Sequence, residues 1–329
     1  MSTFSAYEST CSVGQTARSI GPKRALCIGI DNYPNPGDRL RGCVNDARNW
    51  SNWFQGQGFS VDTLTDGQAT RSGIVNAIRQ VITTSQSGQV IAIQYSGHGT
   101  RLQDVNGDEV DGKDEALVPF DHRQNGYVVD DDLASICNQI PAGVNATFFM
   151  DCCHSGTITR LFVGAGDATD TDVKIRFLSP DAEMIEAHRR SRQGFLSNRT
   201  VRSPYAGRAE ILLSACRSDQ TAKERGAQGD FTRYALAVLR QGIGGMSNGN
   251  FIDRVRATGT WQDQHPQLWS DSSLYDQPLL GLRAGGGDNT PAIPAIPAGQ
   301  VVGGSLSQTL ADIDALLSKL RGQVREFTG

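Results

Sequence analysis

The apolar residues of this chain fall into short segments that alternate between strand-like and helix-like spacing. Buried strands are predicted where short apolar runs end in turn residues, at 25–30, 90–95, 146–150 and 210–216, with a more polar strand at 61–64. Helices are predicted at 43–54, 74–82, 131–139 and 231–239, because apolar residues recur there at steps of three and four. This alternation is typical of a parallel sheet with helices on both faces.

The same pattern divides the chain into parts of different character. The predicted parts are a flexible tail (1–22), a first strand-and-helix region (23–157), an irregular linker (158–207), a second strand-and-helix region (208–283), a Gly/Pro linker (284–305) and a C-terminal helix (306–329). The linker 158–207 is rich in Asp, Thr, Ser and Arg and has no sustained periodicity. A loop of that length inside a compact domain is usually functional or disordered.

The C-terminal helix is predicted from apolar residues at alternating steps of four and three. They are Leu306, Leu310, Ile313, Leu317, Leu320, Val324 and Phe327. This is the spacing of a coiled-coil seam, through which the chain would bind a partner or a second copy. A helix packed on its own domain explains the spacing equally well.

Composition excludes some classes of function. The 35 acidic and 31 basic side chains give a formal charge of −4, whereas a nucleic-acid-binding domain carries clustered excess Lys and Arg. No apolar stretch is long enough to cross a bilayer, and the first twenty residues lack the apolar core of a secretory signal. The sequence therefore predicts a cytoplasmic protein with no membrane span and no nucleic-acid partner.

Two short motifs follow predicted buried strands. His98 stands between two glycines after the strand at 90–95, and Cys153 follows the strand at 146–150. The carboxyl ends of parallel strands meet at one edge of the sheet, so the two side chains are expected to lie close together. A neighbouring imidazole can take the proton of a thiol and make it nucleophilic. Each motif alone also fits a structural role, since a cysteine after a strand is often a small buried hydrophobe.

The chain resembles the metacaspases and their prokaryotic caspase-like relatives. The matching segments are Ser96–Gly99, Asp151–Gly156 and Leu40–Ala47, with weaker matches at 114–115, 129–131, 214–221 and 265–268. The resemblance covers about 23–282 and implies the caspase–haemoglobinase fold, a three-layer α/β/α sandwich around a mostly parallel six-stranded sheet. It also implies that 23–157 is a large-subunit-like region and 208–283 a small-subunit-like region.

The resemblance assigns catalytic roles to the two motifs. It implies a cysteine endopeptidase in which Cys153, the residue before the His-Ser-Gly step, is the nucleophile and His98 the acid/base. Cys152 is the alternative nucleophile, but its side chain is expected to point into the core on the other side of the strand end. The backbone N–H groups of Gly99 and Cys153 are the candidate oxyanion donors.

The resemblance also implies an acidic substrate pocket. Asp46 and Asp151 match its carboxylates, and Cys43 and Ser96 match its wall. A partly buried carboxylate pair is costly unless a cation enters, and the cation would be an Arg or Lys side chain of a protein or peptide substrate, just before the scissile bond. Alternatively, Asp46 caps a helix and Asp151 supports the His98 loop.

No cofactor is expected to be required, and calcium is a candidate activator. Asp114, Asp130 and Asp131 match calcium ligands of the related enzymes, but Arg160 stands near the place of a fourth ligand and would oppose a cation. The acidic segment 104–115 has oxygen ligands spaced as in an EF-hand. Its sixth position is Glu109 rather than Gly, which favours a solvated acidic loop.

The linker carries basic residues that such an enzyme could cleave in itself. They are Lys174, Arg176, Arg189, Arg190, Arg192, Arg199 and Arg202. Self-processing is predicted around 189–202. A flexible insertion that any protease would cut is the alternative.

Two other functions are alternatives to the peptidase. A catalytically silent caspase-like scaffold would act through protein partners, but it has no need to keep both His98 and Cys153. A serine hydrolase would carry a Gly-x-Ser-x-Gly elbow directly after a buried strand. No such elbow is present, since the one Gly-x-Ser-x-Gly run, Gly245–Gly249, follows the predicted helix at 231–239.

Overall fold

The computed structural model describes residues 23–103, 113–153, 173–192, 210–261 and 264–282. Its strands are β1 (Lys23–Gly29), β2 (Phe59–Thr65), β3 (Val90–Ser96), β4 (Gly99–Gln103), β5 (Lys113–Leu117), β6 (Val128–Val129), β7 (Asn145–Asp151), β8 (Val173–Ile175), β9 (Glu210–Ser214), β10 (Lys223–Arg225), β11 (Gln228–Gly229) and β12 (Gln267–Trp269). Its helices are α1 (Cys43–Gly56), α2 (Arg71–Thr83), α3 (His122–Asn125), α4 (Asp130–Cys137), α5 (Ala182–Ser191), α6 (Asp230–Leu239) and α7 (Asn248–Thr258). The predicted N-terminal tail, Gly/Pro linker and C-terminal helix lie outside the described residues.

Six strands form the central sheet, in the order β12-β9-β7-β3-β1-β2. Neighbouring strands are parallel except for β12, which runs antiparallel to β9. In the pairing of β3 with β7, Ser96 lies opposite Asp151 at the carboxyl end of both strands. The predicted mostly parallel six-stranded sheet is therefore confirmed, and its two central strands end beside each other.

Helices cover both faces of this sheet because successive strand residues point to opposite sides. In β7, Phe149 packs with Trp50 of α1, Phe231 of α6 and Phe251 of α7 on one face. Phe148 and Met150 belong to the second core cluster, with Ile74 and Ile78 of α2 and Ile136 of α4. Burying each such side chain contributes about 1.5–3 kcal/mol. The predicted α/β/α sandwich follows from these two apolar layers.

Part of the predicted irregular linker has regular structure. Within 158–207, residues 173–175 form β8, which pairs antiparallel with β10, and Ala182–Ser191 form α5. Helix α5 buries only Met184, Ala187 and His188. The apolar pattern is too sparse to reveal the helix, and a three-residue strand has no detectable period. The structure corrects the prediction here.

Other elements were also missing from the prediction. The acidic segment 104–115 was expected to be a loop, but Asp114 and Glu115 lie in β5, which pairs with β4 and β6 in a second sheet. Residues 104–112 lie outside the described part of the chain. Helix α7 and strand β12 were not predicted either. In the described ranges, no helix is both long enough and apolar enough to cross a membrane.

Helix α5 is held against the rest of the domain by a buried neutral histidine. The backbone N–H of Tyr127 donates to His188 Nδ1 at 3.3 Å, and His188 is 4% exposed. Burial, together with the nearby cations Arg192 and Arg71, lowers the pKa of His188 to about 4. An unfolded chain would protonate this residue near its ordinary pKa of about 6.5.

We therefore expect acid to weaken the fold through His188. Because the folded pKa lies below the unfolded pKa, the stabilisation is complete above about pH 6.5 and is lost as pH falls towards 4. Between about pH 7.5 and about pH 5 the loss is about 2 kcal/mol in the free energy of unfolding. Asn keeps a hydrogen-bond acceptor but does not titrate. In urea titrations at these two pH values, the free energy of unfolding of His188→Asn should therefore fall by about 2 kcal/mol less than that of wild type. Equal losses in wild type and variant would contradict this.

Candidate active site

The sheet register brings His98 and Cys153 to the same edge. Ser96 of β3 pairs with Asp151 of β7. His98 lies two residues after Ser96, and Cys153 lies two residues after Asp151. The backbone of Gly99 lies so close to that of Cys153 that a side chain at position 99 would collide with the Cys153 carbonyl. Both predicted residues are buried, with His98 5% and Cys153 0% exposed. The glycine after His98 is therefore needed for the two strand ends to meet.

The His98 ring is fixed in one tautomer. Its Nε2 lies 2.7 Å from the backbone carbonyl oxygen of Asp38. A carbonyl can only accept, so Nε2 carries the proton and Nδ1 keeps a free lone pair. His98 Nδ1 is buried and has no hydrogen-bond partner among the residues that the structure describes. Burial lowers the pKa of His98 to about 4, so the ring is neutral near pH 7 and Nδ1 can accept a proton.

Two buried tyrosines hold the backbone of His98. The hydroxyl of Tyr33 accepts a hydrogen bond from the His98 N–H at 3.0 Å and donates to the carbonyl of Val118 at 3.0 Å. The hydroxyl of Tyr95 donates to the His98 carbonyl at 2.8 Å. Both tyrosines are 0% exposed. Sequence analysis did not identify these positioning residues, because neither a turn residue such as Tyr33 nor the end of an apolar run such as Tyr95 shows where its hydroxyl group binds.

The Cys153 sulfur contacts the backbone of Ala222. The Ala222 N–H donates to Sγ at 2.7 Å, and Sγ donates to the Ala222 carbonyl at 3.2 Å. No hydrogen bond joins Sγ to the His98 ring. Cys152 packs in the opposite core layer from Cys153, as expected for a side chain on the other side of the strand end. Burial raises the pKa of Cys152 well above its ordinary value.

The backbone of Arg176 occupies the position between the two strand ends. Its carbonyl oxygen accepts hydrogen bonds from the N–H of Gly99 at 3.0 Å and from the N–H of Cys153 at 3.2 Å. These are the two groups predicted as oxyanion donors. The Arg176 N–H donates to the carbonyl of Ala222 at 2.9 Å. Both predicted oxyanion donors therefore already donate to a peptide carbonyl of the chain itself.

The Arg176 side chain lies among three carboxylates. Nη2 is 2.6 Å from Asp46 Oδ2 and 3.3 Å from Glu224 Oε2, and Nη1 is 3.0 Å from Asp151 Oδ2. Nη1 also donates to the Asp151 carbonyl at 3.2 Å. Arg176 and Asp46 are 0% exposed. The two predicted pocket carboxylates therefore face a buried cation, together with a third that the sequence did not indicate.

Backbone N–H groups hold these three carboxylates in place. The Gly229 N–H donates to Asp46 at 3.1 Å, and the Thr232 N–H, in the first turn of α6, donates to Asp151 at 3.0 Å. Glu224 accepts from the N–H groups of Arg41 at 2.8 Å and Gly42 at 3.2 Å, beside the N-terminus of α1. Helix N-termini favour negative charge. The pocket is thus built by residues from both sides of the linker.

Charge balance in the pocket depends on the cation. Burial raises the pKa of Asp46 above its usual range, while the Arg176 guanidinium opposes that rise and the Asp151 carboxylate adds to it. Burial lowers the pKa of Arg176, but the surrounding acids, Asp151 foremost, outweigh it and hold the pKa well above its usual value. One positive charge faces three acids, so the group is stable as an ionised cluster only while a cation is present.

Cys43 and Ser96, the predicted pocket wall, are buried at the same end of the sheet. The Cys43 sulfur lies 3.7 Å from Glu224 Oε2, and the Ser96 hydroxyl accepts from Gln94 Nε2 at 2.7 Å. Asp31, Cys43 and Glu224 offer ligand atoms within 4.8 Å of one another. The oxygens of Asp31 accept from the N–H groups of Cys43 and Val44. This cluster thus serves to anchor the start of α1.

The structural alternatives for the two aspartates find no support in these contacts. Asp46 lies inside α1, where it binds Gly229 and Arg176 instead of capping the helix. The N–H groups of Cys43 and Val44 at the start of α1 donate to Asp31 instead. Asp151 binds the Thr232 backbone and hydroxyl rather than the loop around His98.

Sequence analysis missed Glu224 and Gly229 for different reasons. Glu224 lies in the charged run Lys223–Arg225, which has the composition of a solvated surface. A side chain at Gly229 would collide with the Asp151 carboxylate and the Arg176 guanidinium. Only a weak signal was available, since Gly229 directly precedes the predicted helix at 231–239.

The candidate calcium ligands come to one end of the second sheet. Ala116 of β5 pairs with Val129 of β6, which brings Asp114 near the start of α4, where Asp130 and Asp131 lie. Asp131 Oδ2 is 3.2 Å from Arg192 Nη2. A guanidinium thus already contacts one of the three carboxylates, which fits a bound calcium ion poorly. Arg160 lies outside the described residues.

Comparison with known proteins identifies relatives for this fold and these motifs. The family model for the metacaspase, peptidase C14 domain, matches residues 23–162, a range that contains His98 and Cys153. Metacaspase-1 of Mycosarcoma maydis is 38% identical over 294 residues, covering 79% of this chain and 73% of that protein.

Other relatives match a shorter part. Metacaspase-1 of Pyricularia oryzae is 40% identical over 158 residues, which cover 45% of this chain and 40% of that protein. Metacaspase-2 of Arabidopsis thaliana is 38% identical over 152 residues, covering 43% of this chain and 36% of that protein. Each of these two alignments thus covers about two fifths or less of the relative's own length.

A solved structure shares the fold. The crystal structure of a protein from Geobacter sulfurreducens superposes with a TM-score of 0.65 at 26% identity, covering 80% of this chain and 99% of that one. Together with the alignment over most of the Mycosarcoma relative and the match to the peptidase domain, this leads to one conclusion: the chain belongs to the metacaspase family of cysteine-type peptidases.

Proposed function

We propose that this chain is an endopeptidase that uses Cys153 and His98 and cleaves peptide bonds after Arg or Lys. One observation carries the proposal. The Arg176 carbonyl oxygen accepts hydrogen bonds from the N–H groups of Gly99 and Cys153, while the Arg176 guanidinium binds Asp46 and Asp151. The chain itself thus provides an example of how a basic residue fits the site. Protein or peptide substrates would bind in the same way.

The proposed chemistry follows from the fixed His98 tautomer. Nδ1 takes the thiol proton of Cys153, after the sulfur has rotated about its Cα–Cβ bond away from Ala222. The thiolate attacks the substrate carbonyl carbon, and the N–H groups of Gly99 and Cys153 stabilise the oxyanion. His98 then protonates the leaving amine, and water hydrolyses the thioester with His98 as base.

The pocket geometry favours Arg over Lys. The guanidinium places its two terminal nitrogens on different acids, Nη2 on Asp46 and Glu224 and Nη1 on Asp151. A lysine ammonium is a single point charge and cannot reach both sides of the pocket at hydrogen-bond distance at once. The proposed order of preference is therefore Arg, then Lys, then uncharged residues.

Calcium takes no part in the proposed chemistry. Asp114, Asp130 and Asp131 stay candidate ligands, and calcium stays a candidate activator. A calcium ion at Asp131 would have to displace Arg192, which lies 3.2 Å from its carboxylate.

A peptide panel that varies only the residue before the scissile bond tests this function. We expect wild-type protein to cleave Arg peptides fastest, Lys peptides more slowly and Gln or Asp peptides below detection. Cys153→Ala should lose at least about a thousandfold in rate, because the nucleophile is removed. Equal cleavage by Cys153→Ala, or no cleavage of any peptide by folded wild type, would favour the silent scaffold.

Removing one pocket carboxylate tests the specificity assignment. Asp46→Asn, Asp151→Asn and Glu224→Gln keep the shape of the side chain and remove the charge. Each should cost on the order of 2–5 kcal/mol, or at least about thirtyfold in kcat/KM for Arg peptides.

The matched control is Asp62→Asn, since Asp62 is an exposed acid on β2. Titration of the Cys153 thiol and a melting curve show whether each variant is folded. If folded pocket variants keep the wild-type kcat/KM, Asp46, Asp151 and Glu224 do not form the specificity pocket.

A further inference from the structure

We propose that the site also binds the two substrate residues that follow the scissile bond, and that it selects a large aliphatic side chain at the second of them. These residues would lie as a short strand beside β4, held by the backbone carbonyl of Gly99 and the hydroxyl of Thr100. This selectivity rests on the proposed peptidase function. It narrows the substrates from any accessible basic residue to those followed, two positions later, by a residue such as leucine.

The chain itself shows how the residues after a basic residue lie. Phe177 follows Arg176 and forms a parallel bridge with Gly99, the first residue of β4. The N–H of the next residue, Leu178, donates to the Gly99 carbonyl at 3.0 Å. Strand β4 is an edge strand of its three-stranded sheet. Adding a strand to a sheet edge is a common way to hold a peptide.

Gly99 contacts the peptide groups on both sides of Phe177. Its N–H donates to the Arg176 carbonyl at 3.0 Å, and its carbonyl accepts from the Leu178 N–H at 3.0 Å. In a substrate, the first contact is to the carbonyl under attack and the second is to the amide two residues on. Both contacts come from one residue of the enzyme, so the second helps to orient the reacting carbonyl beside Cys153.

Thr100 completes the contacts to the second residue. Its side chain is 0% exposed, and its hydroxyl donates to the Leu178 carbonyl at 2.6 Å. Both backbone polar groups of Leu178 are therefore bound by consecutive residues of β4. A buried donor that loses its acceptor carries a cost, so a substrate that supplies no carbonyl at this place should bind less well.

Burial separates the residues after Arg176 from one another. Leu178 is 9% exposed and belongs to the second core cluster, together with Leu102 of β4. Phe177 is only partly buried against the first cluster, and Ser179 is exposed. An aliphatic side chain in the place of Leu178 leaves water entirely, whereas a charged one would have to be desolvated. Selection should therefore be strongest at the second residue.

A purely structural role for these contacts makes a different prediction. Leu178 lies three residues before Asp181, whose side chain caps the N-terminus of α5. If the contacts served only to fix the start of that helix, substrates would be cleaved with equal efficiency whatever residue followed the bond at the second position.

The first experiment uses quenched peptides with the sequence of residues 173–179, changed only at the second position after Arg. Wild-type protein should cleave the Leu peptide with the highest kcat/KM. We expect a loss of at least about tenfold for Ala and at least about a hundredfold for Asp. Replacing the Leu N–H by an ester oxygen should cost about fivefold, since it removes one hydrogen bond. Product masses confirm that each cut follows Arg.

The second experiment compares two substrates on each enzyme variant: the Leu peptide, and an amide in which a fluorogenic amine follows Arg directly. The ratio of their kcat/KM values should fall about fivefold in Thr100→Val, because only the peptide offers a carbonyl to the lost hydroxyl. The ratio should stay at the wild-type value in Thr63→Val, the matched control, since Thr63 is an exposed threonine of β2.

Changes that act on the whole enzyme cancel in this ratio, because both substrates are measured on the same protein. The self-processing predicted around 189–202 is one such change and stays a prediction. Arg199 and Arg202 lie outside the described residues.

Two results would overturn the proposal while leaving the peptidase intact. One is cleavage after Arg with equal kcat/KM for the Leu, Ala and Asp peptides, and the other is an unchanged ratio in folded Thr100→Val. Should Thr100→Val fail to fold, the peptide series on wild type still decides the question. If folded wild type cuts neither the peptides nor the fluorogenic amide, the proposed peptidase function fails as well.

Discussion

A single buried guanidinium among three carboxylates is the interaction on which this structure depends. Asp46 comes from α1, Asp151 from the end of β7 and Glu224 from β10, and Arg176 contacts all three. Burying these charges is costly in itself, and removing one partner of such a group leaves the others uncompensated. The cluster therefore ties together segments before and after the linker, and it does so at the edge of the sheet where His98 and Cys153 meet.

The same contacts connect stability with the proposed chemistry. The cation that completes the charge balance belongs to the residue whose carbonyl lies on the Gly99 and Cys153 N–H groups. In the proposed function, recognition of a basic side chain thus places the peptide bond that follows it beside Cys153. In the proposed mechanism the pocket does not merely tolerate a positive charge; it is an incomplete ion cluster without one. The intact chain completes it internally, and a substrate would complete it in trans.

How much of this could be predicted from the sequence depends on the range of each interaction. Strands such as Val90–Ser96 and Asn145–Asp151, and the positions of His98 and Cys153 after them, follow from local apolar patterns. Asp46 and Asp151 were indicated by resemblance to a known family. Arg176 was indicated only as one of several basic residues of the linker, and Glu224 was not indicated at all, because it lies in a charged run that resembles solvated surface. Their burial results from pairing between β8 and β10, which no local pattern encodes.

The central claim is that the positive charge of the residue before the scissile bond drives substrate recognition. A peptide with citrulline at that position tests this claim most directly. Citrulline has nearly the shape of arginine but is uncharged, so two peptides that differ only in this residue isolate the ionic part of recognition. For the wild-type enzyme, kcat/KM should be at least about thirtyfold lower for the citrulline peptide, since it leaves three carboxylates without a cation. Equal values for the two peptides would contradict the account.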